Sequence, residues 1–203
     1  MANLSKNLIK KLYYKDGLST IEIAAELDVT PWIVLKFMKK MNLPRRSFKQ
    51  ANAKRFEKKP ITFSLKKYLS AGEKELKTAG IMIYWAEGNK ANPENGIDFA
   101  NSEPKTIKLF LGFLRNICGI DEKRLRVYLY CYADQEVDTV KEYWQLITNI
   151  HPSQFTKPYI RKDFLLEKSG KMKYGLAHIR YSDKKLFFQI MDWIEKYLKK
   201  NNI

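Results

Sequence analysis

The chain has 203 residues, 45% of them hydrophobic, which is enough to bury a real core and excludes a disordered tail. Thirty-eight Lys and Arg oppose 22 Asp and Glu, and the net charge of +16 points to a polyanionic partner, although a ribosome or an anionic membrane surface would fit charge alone. No apolar run approaches the ~20 residues that cross a bilayer, and residues 1–15 carry no apolar h-region, so no membrane contact and a cytoplasmic, nucleoid-associated location are expected.

Residues 5–14 read as a helix with Leu8, Ile9 and Leu12 on its apolar face, stopped by Gly17. Ser19 and Glu22 form a capping box at the start of a second helix that runs to Leu27 and buries Ile21, Ile23 or Ala24, and Leu27. Asp28 and Val29 make a tight turn. Thr30 caps a third helix with Pro31 at its first position, where a missing N–H costs nothing, and Val34, Phe37, Met38 and Met41 form its buried stripe. Two short helices joined this way have helix-turn-helix geometry, which lays the second helix in the major groove. Its exposed face would carry Thr30, Trp32, Ile33, Lys36, Lys39 and Lys40. Trp32 and Ile33 suit either thymine methyl contacts or packing against another surface.

Residues 18–47, and in them Ile21-Glu22-Ile23-Ala24-Ala25-Glu26-Leu27-Asp28-Val29-Thr30 and Met41-Asn42-Leu43-Pro44-Arg45-Arg46-Ser47, resemble the helix-turn-helix of resolvase-type bacterial modules. That resemblance implies that Arg45 and Arg46 enter the adjacent minor groove, where arginines read width and A·T content. The expected organisation is a helix-turn-helix domain over 1–47, a basic linker over 48–72 that tracks phosphates, with a break near Pro60, and a second domain over 73–203.

The second domain opens with an apolar helix over 76–88 that ends in Glu87-Gly88. A turn over 92–96, a strand over 97–100 and an amphipathic helix over 104–117 follow, the last with Ile107, Phe110, Leu111 and Leu114 on one face. Residues 125–132 alternate as a half-buried strand, 137–150 are helical, 155–161 and 174–181 read as strands, and 184–199 form a final amphipathic helix. The fold class is α+β, with helices on one face of a small antiparallel sheet and a polar, basic opposite face. Cys118 and Cys131 lie in apolar stretches outside any CxxC pair and read as buried thiols.

Glu87 sits at the negative end of a helix dipole, an unfavourable place for an anion unless it is solvated or holds a divalent cation. The segment Gly80-Ile81-Met82-Ile83-Tyr84-Trp85-Ala86-Glu87-Gly88 resembles a degenerate LAGLIDADG motif, and the continuation from Ile97 to Leu111 resembles the strand and helix that follow it in that family. The resemblance implies a single-motif homing endonuclease that acts as a homodimer through the helix over 76–88. Its sheets would form a saddle over duplex DNA, with Glu87 a ligand of Mg²⁺ or Mn²⁺. It further assigns Asn101 to positioning water and Arg180 to stabilising phosphate charge, as the other catalytic residues. Met82 and Trp85 depart from the motif, and relatives that keep the fold without cleavage give the alternative, a DNA-binding transcriptional regulator.

Other chemistries lack their residues. Two histidines, His151 and His178, are too few for a His-Asn-His nuclease or a His-rich zinc site. Pro104 interrupts the faint PD-(D/E)xK spacing of Asp98, Glu103 and Lys105. There is no glycine-rich phosphate loop, because Gly170 and Gly175 stand alone.

Overall fold

A computed structural model describes residues 4–91, 96–161 and 172–202, and the chain divides into two units, Met1–Pro60 and Ile61–Ile203. In the first, Ser5 caps helix α1 (Lys6–Lys10), which continues as a π-helical turn over Lys11–Lys15. Gly17, at φ 72, ends it in a left-handed conformation that glycine adopts without strain. Helix α2 (Thr20–Glu26) begins with the expected reciprocal capping box of Ser19 and Glu22. Asp28 takes the left-handed turn at φ 51, and α3 (Pro31–Lys40) follows with Pro31 in its first turn. Thr30 occupies the N-cap, but its side chain makes no capping hydrogen bond.

Ile9, Leu12, Tyr13, Ile23, Ala24, Val34, Met38 and Leu43 close the core of this unit. Phe37 and Met41 are half-buried against it. Ile21 is 68% exposed, contrary to its expected burial, because Ile23 and Ala24 already fill the inward face of a helix of only two turns.

The linker expected over 48–72 is not a tether. Ser47 and Gln50 form another capping box, and helix α4 (Phe48–Lys58) stands within the first unit. Its side chains are not buried, so it carries no apolar periodicity to reveal it, and its caps, together with the Lys58–Glu22 ion pair at 2.7 Å, hold it. Residues 61–72 belong to the second unit. Phe63, Leu65 and Leu69 pack on its core, and the Ser64 amide donates to the Gly119 carbonyl at 2.9 Å.

In the second unit, Ser70 and Glu73 cap helix α5 (Ala71–Glu87), one and a half turns earlier than the apolar run suggested. Strand β1 (Ile97–Asn101), α6 (Pro104–Asn116), β2 (Leu125–Tyr132), α7 (Val137–Thr148), β3 (Tyr159–Arg161), β4 (Leu176–Tyr181) and α8 (Lys184–Lys200) follow in order. Residues 92–95 of the expected turn lie outside the described residues.

Among the described residues the sheet has four strands in the order β1-β4-β2-β3. It is mixed rather than antiparallel: β4 pairs antiparallel with β1 and β2, whereas β3 runs parallel to β2 because α7 carries the chain back between them. The expected strand over 155–161 shrinks to three residues, since Pro152–Gln154 is a 3₁₀ turn and Phe155 makes only a bridge to Val127.

The strand period of two sorts the side chains. Ile97, Phe99, Val127, Leu129, Ala177, Ile179 and Tyr181 point into the core with α6 and α8, while Asp98, Arg126, Tyr128, Tyr130, His178 and Arg180 share the open face. Gly80 is where α5 meets α6: a Cβ there would stand 2.2 Å from the Phe113 ring. Cys118 and Cys131 are buried free thiols, and burial pushes the Cys118 thiol up to about 12.

Candidate nucleic-acid interface and the foot of helix α5

The exposed side of α3 is set by its inward side. Val34 and Met38 are fully buried, so Trp32, Ile33, Lys36, Lys39 and Lys40, with Thr30 at the cap, face outward. Trp32 is 63% exposed, and the Lys36 ammonium lies 4.8 Å from the centre of its ring. The three lysines and the exposed aromatic ring therefore share the outward side of one helix.

Arg45 and Arg46, expected to act together, part company. Arg45 is exposed. Arg46 is folded back: its guanidinium donates to the carbonyls of Tyr13 at 2.9 Å, Gly17 at 3.2 Å and Leu18, and lies 4.0 Å over the Tyr13 ring. Its own amide donates to the Tyr13 hydroxyl oxygen at 2.9 Å. Arg46 thus ties the end of the π-helical turn to the segment after α3, and Arg45 is left as the exposed arginine of the pair. No local pattern predicts this, because the carbonyls it satisfies lie about thirty residues away and become orphans only where the π turn ends.

Glu22 is held by the second fastening. The hydrogen bond from the Lys58 ammonium, with those of Ser19, holds its carboxyl down at about 2. A carboxyl depressed on folding contributes stability that is present above its unfolded value and lost as pH falls through the folded one. The N-terminal unit is therefore expected to weaken between pH 4.5 and about 2. Both side chains are nearly half exposed, so the effect is screened by salt. Urea midpoints across that window, for wild type and Glu22→Gln, check it: the variant should show the flatter dependence, and parallel curves would contradict the role of Lys58.

At the foot of α5, Gly88 is required because a Cβ would stand 2.4 Å from the buried Tyr84 ring, whose hydroxyl donates to the Asn89 carbonyl at 3.0 Å. Glu87 is exposed. The helix end is met by a cation of the chain itself: the Lys90 ammonium donates to the carbonyls of Trp85 at 2.6 Å and Gly88 at 3.2 Å. The electrostatic objection to Glu87 at that end is answered by solvent and Lys90.

Gly88 bridges to Phe99, so Glu87 lies near the end of β1 that carries Asn101, while Asn101 and Arg180 each have a partner of their own. The Asn101 side chain accepts the Glu103 amide at 2.8 Å, in the turn that starts α6, and its strand position shares the parity of Ile97 and Phe99. Arg180 stands on the open face, its Nε donating to Asp98 at 3.0 Å. Asp98 also meets His178 Nδ1 at 2.9 Å. Burial pushes the Asp98 carboxyl up, but the hydrogen bonds and charges of His178 and Arg180 outweigh it and leave it below its ordinary value. Among the described residues no three His, Cys, Asp or Glu side chains converge to hold a cation. Glu87 alone does not make a Mg²⁺ or Mn²⁺ site in one chain.

A scan against models of known families and searches of curated proteins and of solved structures found no match to this chain. The described helices include none long and apolar enough to cross a membrane.

Proposed function

We propose that this protein binds double-stranded DNA in a sequence-specific way, with α3 in the major groove and Arg45 at the neighbouring minor groove. The observation that carries the reading is the single outward face of α3, where Lys36, Lys39 and Lys40 flank exposed Trp32 on a chain of net charge +16. The lysines supply the phosphate contacts that fix register, and Thr30, Trp32 and Ile33 supply contacts to base edges. This agrees with the helix-turn-helix resemblance of residues 18–47.

A second reading adds cleavage by a homodimeric enzyme of the LAGLIDADG type. It is favoured by exposure of Glu87 at the foot of α5, the position of the acid in the resembling motif. It requires a second copy, with its own α5 alongside, to bring two carboxylates together. Without that, the same domain serves a non-cleaving regulator.

The test is selection from a randomised duplex library, followed by binding and cleavage of the selected duplex. Affinity is expected to fall steeply with salt, and replacing Lys36, Lys39 and Lys40 by Ala should lower the slope of log affinity against log salt by up to about 3. A flat salt response, or a triple variant with the wild-type slope, would remove the α3 interface. Cleavage in Mg²⁺ that disappears in Glu87→Gln would establish the nuclease. Equal binding with no cleavage by either protein would leave the regulator.

A further inference from the structure

The open face of the sheet carries more aromatic surface than a solvated face needs. Tyr128 and Tyr130 on β2, Tyr159 on β3 and His178 on β4 form one contiguous set. Ring centres of Tyr130 lie 5.1 Å from Tyr159, 5.3 Å from Tyr128 and 4.6 Å from His178. Tyr130 is 37% exposed and Tyr159 is 49% exposed, so these rings are open on a flat strand surface rather than packed away. The face is also cationic. Arg126 is exposed, Arg180 lies 4.5 Å over the Tyr128 ring, and Asp98, the acid on the described part of this face, is already engaged by Arg180 and His178. Finally, His178 Nε2 is buried with no hydrogen-bond partner among the described residues, an unmet polar atom at the middle of the ring cluster.

We propose that this face is a second nucleic-acid site, which takes unpaired bases by stacking them on Tyr130 and Tyr159. The choice of occupant follows from what the face offers. Reading the edges of a duplex needs long, free donors and acceptors. The long donors here are largely committed: Arg180 Nε is bonded to Asp98, and Arg126 Nη1 donates to the carbonyls of Lys123 and Leu125, both at 2.7 Å. What remains is ring faces beside positive charge, the combination that holds single strands irrespective of sequence, because every base has a face to stack. Phosphates of the bound strand would lie against Arg126 and Arg180. The site belongs to the second unit and does not rest on the duplex interface of α3, so each stands or falls alone.

The test uses the full chain and a fluorescein-labelled oligothymidylate of about twenty nucleotides, which has no duplex to offer α3. Anisotropy should show binding. Tyr130→Leu with Tyr159→Leu keeps β-compatible apolar side chains and is expected to weaken binding at least about tenfold, whereas Tyr130→Phe with Tyr159→Phe keeps the rings and retains it. The Lys36, Lys39 and Lys40 to Ala variant should still bind the oligothymidylate while losing the duplex. Photocrosslinking of a 5-bromodeoxyuridine oligonucleotide to the unaltered protein reads the same site without substitution, and the adduct is expected on the peptides of β2 or β3. The proposal is overturned by an oligothymidylate that does not bind, by a leucine pair that binds it like wild type, or by crosslinks on α3. A leucine pair that weakens the selected duplex as much as the oligothymidylate would make the face a duplex surface instead, and would equally overturn it.

Discussion

Arg46→Ala is expected to destabilise the N-terminal unit strongly while leaving the second one intact. The guanidinium satisfies the carbonyls of Tyr13, Gly17 and Leu18 and covers the Tyr13 ring, so its removal takes away several charge-assisted hydrogen bonds and strands their acceptors. Such bonds contribute ~1.5–3 kcal/mol each, and the stacked cation adds up to ~2. Because Arg46 is only part-buried, a loss of about 3–5 kcal/mol is the reasonable total. A unit of this size has about 3–9 kcal/mol of stability to lose, at ~0.05–0.15 kcal/mol per residue. Amide exchange at buried Ile23 and Val34 should accelerate by two orders of magnitude or more, about 1.4 kcal/mol per tenfold, and duplex affinity should fall with it. Arg46→Lys should not restore the stability, since one ammonium cannot span three carbonyls held in different directions. Arg45→Ala should leave exchange unchanged and weaken binding to A·T-rich flanks. If Arg45→Ala and Arg46→Ala instead gave equal losses of affinity with unchanged exchange, both arginines would be groove residues and the clamp would be unimportant.

The second large effect is expected at the contact of α5 with α6. Gly80→Ala places a methyl carbon 2.2 Å from the Phe113 ring, and Phe113 is fully buried among Phe110, Trp193 and α5, so it has nowhere to move. The better helix propensity of Ala, ~1 kcal/mol, acts the other way. Overpacking costs ~1–3 kcal/mol where neighbours can adjust, and more where they cannot, so the clash wins. A fall in Tm of about 5–10 °C is expected, at ~2–4 °C per kcal/mol for a domain of this size. Gly112→Ala is the matched control. It also lies inside a helix, but a Cβ there meets nothing nearer than Leu76 at 4.0 Å, so only the propensity remains and Tm should rise slightly. Calorimetry on both variants decides it; a Gly80→Ala protein as stable as wild type would mean that α5 and α6 can separate at little cost.

Local patterns carried far along this chain. The capping box of Ser19 and Glu22, the proline at the start of α3, the alternation through β2 and the amphipathic faces of α6 and α8 are each written in neighbouring residues, and each element formed where those residues placed it. These signals depend only on the 3.6- and 2-residue periods and on orphan backbone groups at helix ends, so they survive without knowledge of what lies across the core. Helix α4 was missed although Ser47 and Gln50 cap it, because a helix with no buried side chain has no apolar period to follow.

The sequence by itself determined that the chain is basic, α+β and built with an N-terminal helix pair whose outer face is cationic. Tertiary structure alone decided which arginine is free, which way β3 runs and what stands together on the open sheet face. Arg45 and Arg46 are adjacent and chemically identical, and only the Tyr13, Gly17 and Leu18 carbonyls, brought close by the fold, separate a structural clamp from a surface charge. Tyr130, Tyr159 and His178 lie far apart in the chain and share a surface through strand register. Such meetings depend on which residues the packed core brings opposite one another, and no local period encodes that.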